Sequence, residues 1–208
     1  MKKFIFIVVL LISFQNLTAQ KAMSKLFDNK SKVVFLGLDF TQAKFIGKDG
    51  FKDAYKLKTY YLTNWNALLE EEYGKYNLPL IGFKARHYET NTSSLIVLND
   101  EIKDIEKRII NGSHYITDKD IQRSVRKYHL PNDKGIGISF VVESFNKSLE
   151  KAVIWVTFIN LSNGQMLYTE RMEGAAKGFG LRNYWAGSIL DIIDQIKTSR
   201  YKVWKRKF

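Results

Sequence analysis

The sequence predicts an α+β fold: a single domain with a mixed β-sheet, a C-terminal antiparallel meander and helices packed on it. Three observations predict it. Runs rich in β-branched and aromatic residues mark buried strands at 32–40, 135–145 and 152–161. Apolar residues spaced by three and four mark amphipathic helices between and after them. Asn163 and Gly164, set between two strand runs, mark a tight hairpin of type I′.

The first nineteen residues stand apart. Lys2 and Lys3 precede an unbroken apolar run, residues 4–12, and then Leu17-Thr18-Ala19. This is the pattern of a signal peptide over 1–19 cleaved before Gln20. The run is about half the ~20 residues that span a bilayer, and the competing reading is an uncleaved N-terminal anchor. The expectation is one exported domain over 20–208, with a basic C-terminal tail from about 198 to 208 and no transmembrane helix in the mature chain.

The strand over 32–40 carries Asp39 near its end, and Gly47, Asp49 and Gly50 mark a loop. Residues 59–76 read as a helix with Leu62, Trp65, Leu69, Tyr73 and Tyr76 on one stripe; Glu70, Glu71 and Glu72 form its solvated side. Residues 80–88 read as a second strand. Residues 94–98 read as a third, or as the lead into a helix over 99–110 that ends at Asn111-Gly112. Thr117 followed by Asp120 resembles a capping box, with Asp in place of Glu or Gln. It opens a helix burying Ile121, Val125 and Tyr128. Over 152–161 both strand faces are apolar, which predicts a central strand covered on both sides. The last helix carries Trp185, Ile189, Ile192, Ile193 and Ile196 on its inner stripe.

Composition narrows the chemistry. The chain has no cysteine. That removes disulfides, thiol nucleophiles, thiolate metal sites and a lipid anchor at the mature N-terminus. The formal charge is +12; losing Lys2 and Lys3 leaves +10 on the mature chain. An exported basic protein meets lipid headgroups, lipopolysaccharide, acidic glycans or an acidic partner protein, and nucleic acid is not expected. The plainer reading of the charge is solubility.

His87, His114 and His129 lack metal-ligand spacing. No GxSxG occurs, and Ser139, Ser144 and Ser148 have no histidine partner in sequence. Asp39 sits where open α/β sheets place site residues. Glu170 and Glu173 fall on opposite sides of a strand, so they do not form an acid–base pair. Neither cofactor nor metal is expected. Gly174, Gly178 and Gly180, with Lys177 among them, precede a helix. Their spacing matches no phosphate loop, and they read as a strand-to-helix corner. A binding surface there would use Lys177, Arg182, Asn183 and Tyr184. The tail offers Lys202, Trp204, Lys205 and Arg206, a cation-and-aromatic set suited to a membrane interface or anionic polymer. Its plainer reading is a short edge strand over 201–204 with a solvated basic end.

The order of "VVFLGLDF", "ISFVVESF", "AVIWVTFINLSNGQMLY", "GAAKGFG" and a long helix resembles the curli-secretion and penicillin-binding-protein-activator type of periplasmic domain, similar to the N-terminal domain of TolB. Residues 160–167, "NLSNGQML", stand where those families carry a D-x-x-T-G-x-x-L hairpin. Those families are commonly lipoproteins, and this chain has no cysteine. The resemblance implies a non-enzymatic envelope domain that binds a protein, and it transfers no particular residue. The functional expectation is therefore an exported cell-envelope binding or assembly domain acting through protein or anionic-surface contacts. The alternatives are a hydrolase or transferase on an envelope polymer using Asp39 and other carboxylates, and a structural protein with no specific partner.

Overall fold

The computed structural model describes residues 20–27, 31–78, 87–130 and 134–208. The expected leader over 1–19 lies outside these residues, as does most of the strand expected over 80–88.

Residues 20–27 form helix α1, which buries Met23, Leu26 and Phe27. Strand β1 (Val33–Asp39) is buried throughout, and β2 (Lys44–Ile46) follows shortly. Helix α2 (Ala54–Lys56), a π-turn (Leu57–Tyr61) and α3 (Leu62–Glu71) run on as one helix. Asp53 starts it by accepting from Lys56 N at 2.7 Å. Leu62, Trp65 and Leu69 face inward as the spacing requires. Glu72 leaves helical backbone and separates α4 (Tyr73–Tyr76), on which Tyr76 is buried and Tyr73 exposed.

After β3 (Tyr88–Thr90) comes α5 (Ser93–Asp100), so residues 94–98 are helical, not a strand. The helix expected over 99–110 is absent. Asp104 takes φ +54, a left-handed backbone that no helix continues through, and a 3₁₀ turn leads into β4 (Ile109–Ile110). Helix α6 (Asp118–Val125) opens on the expected Thr117–Asp120 capping box. Then come β5 (Ile136–Asn146), β6 (Lys151–Asn160) and β7 (Gln165–Ala175). Helix α7 (Gly180–Gln195), a π-turn (Ile196–Arg200) and α8 (Tyr201–Lys207) form one long helical segment. The tail is thus helical, not an edge strand.

The α+β class holds, but the expected sheet does not. In place of a sheet built around a C-terminal antiparallel meander stands a curled half-barrel organised by the parallel strands β3, β1, β5, β2 and β4. β1 pairs in parallel with β3 and β5, and β2 pairs in parallel with β4 and β5. β6 extends the sheet antiparallel between β5 and β7, and the chain then leaves it for helices. The expected type I′ turn is also corrected. A longer loop over 161–164 joins β6 to β7, and of Asn163 and Gly164 only Gly164 has positive φ.

Strand alternation divides the core between the two sheet faces. Ile138, Phe140 and Val142 face a large cluster with Trp65, Trp185 and Trp204, so α1, α3, α7 and α8 cover that face. Val34, Leu36 and Val141 face a smaller cluster with Leu95, Leu98, Ile121 and Val125 from α5 and α6.

Candidate functional site

β1 and β2 lie end to end along one edge of β5. Asp39 is opposite Val141 and Lys44 is opposite Ser144, so residues 40–43 of this edge face only residues 142–143 of β5. The excess chain bulges outward. On its far side β3 covers Val33–Phe35 and β4 covers Phe45–Ile46, which leaves the middle without a strand neighbour. Two buried asparagines fill that gap. Asn66 of α3 accepts from Leu38 N at 2.7 Å and donates to Leu38 O at 3.0 Å. Asn99 of α5 donates to Leu38 O at 2.9 Å and accepts from Phe40 N at 2.8 Å. A carboxamide presents the donor and acceptor of a peptide group, so the pair completes the ladder that a missing strand would have made. Gly37 gives them room: its φ is +93, and a Cβ there would sit 2.3 Å from Asn66 Oδ1.

Asp39, the strand-end carboxylate, is fully buried at the bulge. Oδ1 accepts from Thr41 N at 2.7 Å, and Oδ2 accepts from Tyr128 OH at 2.7 Å. Burial pushes its pKa above the usual carboxylate value, opposed by the Thr41 and Tyr128 hydrogen bonds and by the Arg108 charge. Tyr128 is likewise pushed up by its burial and by Asp39. Tyr128 lies just past the end of α6 and not on it, so this arrangement fastens the segment that follows the helix to the break in the strand.

Arg108 holds the bulge from the outside. Its Nη1 donates to Thr41 O at 2.8 Å, and more loosely to Phe40 O and Ala43 O at 3.4 Å. Burial lowers its pKa, with the Asp39 charge acting the other way. Its Nε and Nη2 donate to no acceptor among the described residues. Beside it opens a cleft of about 320 Å³. Lys44, Lys103, Lys107, Arg108 and His114 line it against one carboxylate, Asp104. Lys107 already pairs with Asp104 at 3.0 Å. His114 Nε2–H donates to Gln42 O at 2.9 Å and ties the 111–117 loop to the bulge. Nearby, Lys58 Nζ donates to Asp100 O at 2.6 Å and to Ile102 O, capping the end of α5.

A second cleft, about 240 Å³, contains Glu143, Arg171 and Glu173. Glu143 is the extra residue where β5 slips register against β6. It is buried, ion-paired to Arg171 Nη2 at 2.9 Å, and accepts from Trp155 Nε1 at 2.8 Å. Glu173 pairs with both Lys151 and Arg171. The carboxylates of this cleft are therefore matched by cations. Glu143 and Arg171 carried no sequence signal, because a β-bulge and a cross-strand pair become visible only with the register.

The glycine corner is a corner. A Cβ on Gly174 would lie 2.1 Å from Ser188 O, so the residue lets β7 close on α7. The backbone amides of 175–177 are consumed internally, by Asp191 Oδ2, Glu150 O and Tyr184 O. Lys177 and Asn183 are exposed. Arg182 is drawn toward Glu71 at 3.7 Å, while its carbonyl accepts from Trp65 Nε1. Tyr184 donates to Glu150 at 2.8 Å beneath Lys147. Phe179 protrudes with 96% of its surface exposed.

On the tail, Lys202, Lys205 and Arg206 are exposed, but Trp204 is fully buried. It packs edge-on against Phe158 and donates to Glu170 Oε2 at 2.6 Å. Glu170 also accepts from Tyr168 and pairs with Arg200. Tyr168 is raised to about 12, by burial first and then by Glu170. Trp204 is thus an anchor of the helix and not part of its contact face. Lys197, Lys202, Lys205 and Arg206 have no ion-pair partner among the described residues.

Among the described residues no group of His, Asp and Glu is arranged to hold a metal ion, and no helix is long and apolar enough to cross a membrane. In comparisons with protein-family models, curated proteins and solved structures, none matches this chain.

Proposed function

We propose that the chain is an exported cell-envelope binding domain that docks on an anionic envelope surface through the basic face of α8 and the preceding π-turn. One observation carries this reading. Trp204 fastens the helix to the core, while Lys197, Lys202, Lys205 and Arg206 stay exposed and unpaired among the described residues. Near an anionic leaflet each such cation contributes about 1 kcal/mol, so four give ~4 kcal/mol, or ~1 mM affinity. That is reversible association, suited to a domain that also contacts a partner. The carboxylates support binding over hydrolysis: Asp39 is sealed behind Thr41 and Tyr128, and Glu143 and Glu173 are neutralised by Arg171 and Lys151. Export rests on the leader pattern of residues 1–19.

Co-sedimentation of the chain from Gln20 with vesicles tests the proposal. Binding to phosphatidylglycerol vesicles, absent on neutral phosphatidylcholine and lost with Lys202→Glu/Lys205→Glu/Arg206→Glu, is the expected result. Equal binding by the triple variant contradicts it.

A further inference from the structure

The cleft at the strand break supports an inference of a different kind. Arg108 is half-buried, and Nη1 fixes it to three carbonyls of the bulge. A guanidinium so held has one fork, Nε and Nη2, left for another acceptor, and a fork matches the paired oxygens of an oxyanion. Among the described residues no carboxylate is within ion-pairing distance of it. The one acid lining the cleft, Asp104, is already taken by Lys107. Lys103 is exposed at the same opening with no partner among the described residues, and Lys44 reaches only the carbonyl of Lys107, at 3.1 Å. The cleft therefore holds an excess of positive charge beside open donors, just past the carboxyl end of β1. Its volume, about 320 Å³, is at the small end of ligand pockets, which run from roughly 300 to 1,000 Å³.

We propose that this cleft binds a small phosphate monoester. The dianionic head would take the Arg108 fork with Lys103 and Lys44 around it, leaving room for a short attached group. This site is distinct from the basic face of α8 and does not depend on it. The same head could arrive on a soluble metabolite or on a lipid, and the experiment separates the two.

The chain from Gln20, labelled with ¹⁵N, is titrated with glycerol phosphate, with inorganic phosphate, and with vesicles carrying phosphatidic acid, all at constant ionic strength set with chloride. The expected result is a saturable shift of the amides of 41–44 and 103–114. Lys103→Ala/Lys44→Ala weakens it at least about tenfold, the loss of 1.4 kcal/mol, without moving the melting temperature. The triple glutamate variant of α8 leaves it intact. Arg108→Lys, which keeps the charge and removes the fork, weakens it as well. A response to phosphatidic acid alone, mapped to these amides, assigns the head to a lipid; a response to glycerol phosphate assigns it to a soluble ester. The proposal is overturned if no probe gives a saturable shift there, if inorganic phosphate alone gives one, or if the Lys103/Lys44 variant binds as tightly as the parent.

Discussion

Asn66 and Leu38 are joined by two hydrogen bonds, one in each direction, at 2.7 and 3.0 Å. A helix side chain thereby closes the open edge of a strand deep in the core, and the split between β1 and β2 can persist without exposing backbone to an apolar interior. Replacing Asn66 by Ala leaves the Leu38 N–H unpaired. The expected cost is about 2–3 kcal/mol in denaturant unfolding. A neutral result would mean that water replaces the side chain.

Gly37 and Asn66 should couple. Gly37→Ala forces a left-handed backbone on alanine and drives its Cβ into Asn66 Oδ1, so it should cost more than about 1 kcal/mol alone. In the Asn66→Ala background that collision is gone, while the backbone cost and the contact with Thr92 Cγ2, 2.8 Å from the added Cβ, remain. A double-mutant cycle should therefore show the two costs to be less than additive. Strict additivity would contradict the close approach.

Asp39 sets a pH signature. Its folded pKa is raised, chiefly by burial. The native protein therefore keeps a proton over a range in which the unfolded chain has already lost it. The stability it contributes is full below the ordinary carboxylate pKa and is lost as pH rises through the elevated one. Asp39→Asn cannot titrate, so the stability of the parent relative to this variant should fall as pH rises through that window. A flat difference would mean that the carboxylate is solvated.

Glu143 and Arg171 should be worth more as a pair than apart. Arg171→Met strands a buried carboxylate, and about 3 kcal/mol of destabilisation is expected. Adding Glu143→Leu should recover most of it, because two apolar groups need no charge partner. No recovery would show that Trp155, which also donates to Glu143, carries the effect.

Trp204 separates anchoring from contact. Trp204→Ala empties a fully buried site and removes the Glu170 hydrogen bond, for an expected loss of about 3–5 kcal/mol. Lys202→Ala, on the exposed side of the same helix, should stay within about 0.5 kcal/mol of the parent.

Local chemistry was legible in the sequence, and long-range pairing was not. The Thr117–Asp120 box and the inner stripes of α3 and α7 depend on residues a turn apart, and these stand where the spacing puts them. The parallel pairings of β1 and β2 with β5 join strands about a hundred residues apart, with no turn dipeptide to announce them. Residues 93–100 combine an apolar run with a helix, an ambiguity that length alone did not resolve. Asp39 stood out as a strand-end acid, but its burial depends on Tyr128 and on the bulge. Arg108 and Asn99 fall inside the helix expected over 99–110 and carry no signal of their own. They matter because that helix never forms and the chain turns at Asp104 instead. Trp204 read as an interfacial aromatic in a basic tail. Only the cluster of Phe158, Tyr168 and Glu170 shows that it points inward.

The docking surface proposed for the C-terminal helix can be tested with a single probe, since the chain has no cysteine of its own. An environment-sensitive fluorophore is placed on Val203→Cys, which is 42% exposed on α8, or on Phe179→Cys, which is 96% exposed at the glycine corner. With phosphatidylglycerol vesicles, emission from position 203 should shift to the blue and be restored by salt, while position 179 stays unchanged. A shift at 179 with none at 203, or none at either, would contradict docking through the C-terminal helix.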